Sequence, residues 1–252
     1  MTDKTSKAIV ILMSLILVAA CSSDSKKPKQ DDSAGGIWAG TRPTGTEVVV
    51  FVSESGAFRM LDPFGNVGHG QLDVSNTTEV ILNYDISPPF MQTLFDGSSN
   101  ASCHATGSVR ERQVLSVETD CTSLLGTQFG GLLELSYSTQ YDRESSFETL
   151  SGSYGENGDV VTIDSTGLLH GQIALTGCIF NGQVFLIDSE WNLYDTSLTT
   201  ENCTGDYAPF NGVTWSGQAS LVNTDGTDTL LGALTAGFGS QVVALGFVFP
   251  RI

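Results

Sequence analysis

The chain of 252 residues contains no lysine beyond Lys29. From Gly36 onward six arginines stand against 24 Asp and Glu residues, a formal charge of −18 for that part. A surface this acidic repels phosphate backbones and anionic headgroups, which argues against nucleic acid as a partner. There is no C-x-x-C, and the three histidines (His69, His104 and His170) are scattered, so the ligand spacing of a zinc site is missing. Neither G-x-S-x-G nor H-E-x-x-H occurs. A catalytic role is therefore not expected, and neither is a cofactor or a metal. No apolar run reaches the about 20 residues of a membrane-spanning helix. Beyond Gly36 no stretch shows the apolar period of an amphipathic helix.

What is present begins at the amino terminus. Lys4 and Lys7 precede an apolar run, Ala8–Ala20, that ends in small residues, the pattern of a secretory signal. The cut falls before a cysteine, and Leu17-Val18-Ala19-Ala20-Cys21 resembles the lipobox of bacterial lipoproteins. That resemblance implies a diacylglycerol on the Cys21 thiol, cleavage by signal peptidase II before it, and acylation of the new amino terminus. Residues 1–20 are then a lipoprotein signal peptide. Residues 21–35 are the lipidated cysteine and a flexible tether, too polar to pack and about 50 Å long at full stretch. Ser22 stands where an aspartate would otherwise follow the cysteine. In proteobacterial lipoproteins this implies sorting to the outer membrane. The expected partners are a membrane, through the anchor on Cys21, and an envelope protein.

The remainder reads as strands. Short β-branched and aromatic runs such as Glu47–Ser53, Glu79–Ile86, Ser102–Arg110, Gln113–Thr119 and Ile179–Ile187 are separated by turn residues. Ser55-Gly56, Thr166-Gly167 and Asp225-Gly226 mark tight hairpins. Runs only two to five residues apart must pair antiparallel. The expected fold is all-β: two tandem antiparallel meanders, barrels or sandwiches, over residues 36–143 and 150–252. A transmembrane barrel is rejected, because its strands need about 9–11 residues with an unbroken apolar outer side.

Short motifs recur in order. His69-Gly70-Gln71-Leu72 returns as His170-Gly171-Gln172-Ile173, and Cys103-x-x-x-Gly107-x-Val109 as Cys178-x-x-x-Gly182-x-Val184. Cys121-Thr122 returns as Cys203-Thr204. With Gly152-Ser153-Tyr154-Gly155, Gly177-Cys178-x-Phe180-x-Gly182 and the closing Leu245–Arg251, the body resembles a group of duplicated, all-β proteobacterial lipoproteins of unassigned function. It departs from them in a shorter middle and in the cysteine pair of its first half. Four cysteines besides Cys21 in an exported chain read as disulfides. Cys103–Cys121 and Cys178–Cys203 are the expected pairs, because each lies within one half.

Candidate functional residues are few. His69 and His170, from two repeats, form a candidate ligand pair. Ser87–Phe95 contains two prolines, which exclude a central strand, and carries Phe90, Met91, Leu94 and Phe95. It is expected to plug one end of a barrel, with Phe90, Met91 and Phe95 as partner-site candidates if exposed. Asn223–Asp228 suits a hairpin tip better than a calcium loop. The functional expectation is an outer-membrane-anchored, non-enzymatic interaction or structural module of the envelope. The alternatives are a barrel that binds a small ligand in its interior and, least favoured, an envelope hydrolase.

Overall fold

The computed structural model describes residues 33–42, 44–75, 78–224 and 226–252. The segment expected to be a signal peptide, Cys21 and most of the expected tether lie outside the described residues. The first half comprises β1 (Gly36–Thr41), β2 (Glu47–Val52), β3 (Ala57–Leu61), β4 (Val67–Ser75), β5 (Glu79–Ser87), β6 (Ala101–Arg110), β7 (Val114–Ser123) and β8 (Gln128–Ser138). Each pairs antiparallel with the next, and β8 pairs back onto β1, so this sheet is a closed eight-stranded barrel. The linker forms a short 3-10 turn at Thr139–Asp142 and one α-helical turn at Phe147–Leu150, capped by Ser146. A second meander follows: β9 (Gly152–Glu156), β10 (Asp159–Ile163), β11 (Leu168–Gln172), β12 (Ile179–Leu186), β13 (Tyr194–Glu201), β14 (Thr214–Thr224), β15 (Thr227–Phe238) and β16 (Gln241–Pro250). It curls into a half-barrel whose edges meet at one end only, where Tyr154 bridges Arg251 and the Ile252 amide donates to Ser153 O at 2.9 Å.

The all-β, two-sheet expectation therefore holds. Strand alternation explains why. Along β5, Val80, Leu82, Tyr84 and Ile86 are buried while Glu79, Ile81, Asn83 and Asp85 face out. β6 and β7 follow the same period, with Ser102, His104, Glu118 and Asp120 outside. An apolar interior with a polar exterior is the inverse of the pattern that a lipid-facing barrel carries.

Two strands were invisible to a search for β-branched runs. β1 and β9 are glycine-rich, and they supply one side of each seam. A Cβ on Gly40 would come within 2.3 Å of Glu134 O, so only glycine permits the approach that closes the first barrel. The repeated motifs also sit differently from a strand-for-strand duplication. His69 is on the fourth strand of its sheet and His170 on the third of its own. Cys103 and Cys121 are on the sixth and seventh strands, while Cys178 and Cys203 flank the fourth and fifth.

Both expected disulfides are present. Cys103 and Cys121 lie directly opposite each other on β6 and β7, with Cα atoms 4.0 Å apart. Cys178 and Cys203 join the β12–β13 hairpin just beyond its last paired residues.

The two sheets pack against one another through an apolar layer that the sequence reading did not anticipate. Ile37, Phe51, Leu61 and Val67, on the outer face of the barrel, meet Leu193, Ala233 and Ala244 of the half-barrel. Tyr141 in the linker joins this layer, stacked on Trp191 at 5.2 Å, and its hydroxyl donates to Glu54 at 2.9 Å. Arg143 holds the linker down by donating to Leu221 O at 3.0 Å.

Candidate functional site

Three of the four loops at one end of the first barrel, together with the start of β8, line the mouth of an interior cavity of about 620 Å³. The β1–β2 loop contributes Arg42 and Thr46, the β3–β4 loop Asp62 and Phe64, the β5–β6 loop Gln92 to Phe95, and the β7–β8 turn leads to Phe129. Met60, Ile86 and Leu133 form the walls, and deeper packing by Trp38, Phe58 and Val50 closes the floor. Trp38 is fixed there by its indole N–H, which donates to Ala34 O at 3.0 Å.

Polar groups at this mouth are satisfied. The Asp62 carboxylate is almost fully buried, yet it accepts from the Phe64 and Asn66 amides at 2.9 and 3.0 Å and from Asn66 Nδ2 at 2.9 Å. Arg42 lies 3.4 Å away as counter-ion. Inside, the Tyr84 hydroxyl is 3.7 Å from Cys121 Sγ. Burial raises the Tyr84 pKa, so it stays a neutral phenol, although the Arg42 charge opposes the shift. The cavity thus combines apolar walls with a few fixed polar groups, the usual make-up of a small-molecule site.

The Ser87–Phe95 segment divides its side chains between the two sheets. Leu94 is buried in the first barrel, which is the expected plug. Phe90 reaches the other way, into the half-barrel, where its ring lies 4.0 Å from Phe210 and 5.6 Å from Phe238. The segment is pinned to the edge of β16 by the Ala244 amide, which donates to Pro88 O at 3.0 Å. Met91 and Phe95 are mainly exposed, at 63% and 72%. Phe95 lies across Phe129 at the barrel mouth, ring centroids 5.0 Å apart. With Phe64, Leu124 and Leu125, also exposed, these two side chains form an apolar rim on the loop end of the barrel.

The histidines are not brought to one site. His170 is exposed on β11, with Nδ1 2.8 Å from Asn181 Oδ1 across the hairpin. His69 lies on the barrel exterior beside Arg59 and Asp85, its Nε2 3.4 Å from Ser87 Oγ. Burial lowers the His69 pKa and the Arg59 charge lowers it further, against the opposing pull of Asp85. Arg59 is itself partly buried; desolvation lowers its pKa while the charge of Asp195 on β13 opposes the shift, and desolvation raises the Asp195 pKa. Among the described residues no group of three or more His, Cys, Asp or Glu side chains is placed to hold a metal. Asp228, from the stretch weighed as a calcium loop, is instead paired with Arg143 at 3.4 Å and Arg251 at 3.6 Å. No helix among the described residues is long and apolar enough to cross a membrane.

A second interior space, of about 400 Å³, lies within the half-barrel. Nothing in the sequence reading singled it out. Its signal was the density of aromatics between Phe180 and Phe249, which reads equally as core.

Comparison with known proteins adds little to this. No family model matches the chain. No curated protein matches it either. Among solved structures, a Bacteroides fragilis NCTC 9343 protein provisionally described as an outer membrane protein aligns over 86% of this chain and 95% of its own, at 13% identity and a TM-score of 0.25.

Proposed function

We propose that this chain is a lipid-anchored protein of the bacterial envelope that carries a small apolar molecule, without chemistry, inside its first barrel. The observation that carries the reading is the cavity of about 620 Å³, open at the loop end of the barrel and walled by Met60, Ile86, Leu94 and Leu133. Its size falls within the range of about 300–1,000 Å³ common to ligand sites. The anchor on Cys21 rests on the lipobox resemblance, and the outer membrane on Ser22 after it. Two disulfides fit an oxidising compartment outside the cytoplasm. The test uses N-phenyl-1-naphthylamine, a neutral apolar fluorophore, with the soluble body. Its emission is expected to rise saturably at one probe per chain. Thr46→Trp, which fills the mouth from a partly exposed position, is expected to abolish the rise while leaving the melting temperature unchanged. No saturable binding by the natural chain would overturn the reading.

The apolar rim supports a second reading, a docking surface for an envelope partner. Leu124→Ser with Leu125→Ser, neither of which lines the cavity, should then abolish crosslinking to that partner in the envelope and leave probe binding intact.

A further inference from the structure

The half-barrel cavity has a chemistry unlike that of the first barrel. Seven of its lining side chains are aromatic, among them Phe90, Tyr207, Phe210, Trp215 and Phe247. The rings are set at angles to one another: Phe90 and Phe210 meet edge-on at 4.0 Å, Phe210 and Trp215 lie 5.5 Å apart, and Phe247 is stacked on Phe249 at 5.6 Å. Asp159 is the one charged residue among those lining it, and no lysine, arginine or histidine does so. Asp159 is only partly buried, and one of its oxygens accepts from the Ala174 amide at 2.9 Å.

We infer that this cavity is a second binding site, one for a small organic cation with an apolar body, such as a quaternary ammonium. Three features point the same way. Aromatic faces attract a cation through their quadrupole, and the attraction grows when the cation is desolvated in an enclosed space. A lone carboxylate at the wall supplies counter-charge without a competing basic group. The whole body is strongly acidic, which concentrates cations around it and raises their encounter rate. An anionic ligand would meet no positive partner there, and a neutral one would gain nothing from Asp159. The half-barrel seam, bridged at only one end, leaves the other end open, and Phe90 of the β5–β6 loop stands in that opening. This inference does not depend on the first barrel holding a ligand.

The test compares two probes of equal shape, benzyltrimethylammonium and its uncharged isostere neopentylbenzene, by calorimetry or ligand-detected NMR on the disulfide-bonded body. The cation is expected to bind roughly tenfold or more tighter than the isostere, the scale of a desolvated cation–aromatic contact. Asp159→Asn, which retains an acceptor for the Ala174 amide, should weaken the cation several-fold and leave the isostere unchanged. Phe90→Ala, at a partly exposed loop position, should weaken both. Thr46→Trp in the first barrel should leave the cation unchanged, and the two probes are compared in that background so that any isostere held by the first barrel does not count. Equal affinity for the two probes, or no binding of either, overturns the inference. So does cation binding that survives Phe90→Ala and disappears at about 0.5 M salt, because that is the behaviour of an exposed acidic surface.

Discussion

Phe51 offers the sharpest test of how the two sheets hold together. It lies on the outer face of β2, yet its exposure is 0%, because the half-barrel covers it. Truncation to alanine removes the ring without touching the interior of either sheet. Phe→Ala at a fully buried site costs about 3–5 kcal/mol, the lost transfer energy plus the cavity left behind. For a body of this size each kcal/mol lowers the melting temperature by about 2–4 °C, so Phe51→Ala should lower it by on the order of 10 °C. Scanning calorimetry of the oxidised protein is the assay. If the apolar layer makes one cooperative unit, a single transition moves as a whole. A shift under roughly 2 °C, or two transitions of which only one moves, would refute the claim that the layer is an integral core.

Other consequences can be checked with the same material. Removal of the Cys103–Cys121 disulfide by a paired Cys→Ala substitution should destabilise the barrel by about 3 kcal/mol, the loop-closure value for a span of 18 residues; urea unfolding measures it. Asp62→Ala strips the β3–β4 loop of three hydrogen bonds and leaves Arg42 without its counter-ion. A loss of about 1–3 kcal/mol is expected, together with weaker N-phenyl-1-naphthylamine binding at the same mouth. The depressed His69 pKa fixes a pH dependence. The unfolded chain binds the His69 proton more readily than the folded one, so this contribution is complete above about pH 6.5. It is lost as pH falls below that value. His69→Gln should flatten the fall in melting temperature between about pH 7.5 and 5.5; an unchanged slope would place the dependence elsewhere.

Much of the architecture could be read from spacing. The hairpin dipeptides fell where the chain turns: Gly56 and Gly167 adopt φ of +84° and +82° in the β2–β3 and β10–β11 turns, values that only glycine reaches without strain. Cysteines close in sequence proved to be cross-strand neighbours. Two prolines keep the segment after Ser87 out of the strands, but of its large apolar side chains Leu94 is the one that plugs the barrel, while Met91 and Phe95 stay exposed.

What escaped has physical causes. β1 and β9 are built of glycine for close approach, so they carry little of the branched side-chain signal by which strands are recognised. The layer between the sheets had a signal that was passed over. Val48–Val52 is apolar without alternation, and such an unbroken apolar strand fits burial on both faces, as the largely buried β2 shows. The cavities were illegible for a different reason. Sequence period shows that Phe58 and Met60 point inward, but not whether the partners opposite reach far enough to fill the space. The His-Gly-Gln repeat places its two copies on strands of different rank, His69 inside β4 and His170 inside β11, because three residues do not fix which strand carries them.

One measurement reads both the proposed anchor at Cys21 and the molecule proposed to be carried in the first barrel. Native mass spectrometry of the protein released gently from its own envelope should give the chain from Cys21 with its attached lipid, plus one bound small molecule that departs under denaturing conditions. An unmodified Cys21, or a mass that is identical under native and denaturing conditions, would contradict it.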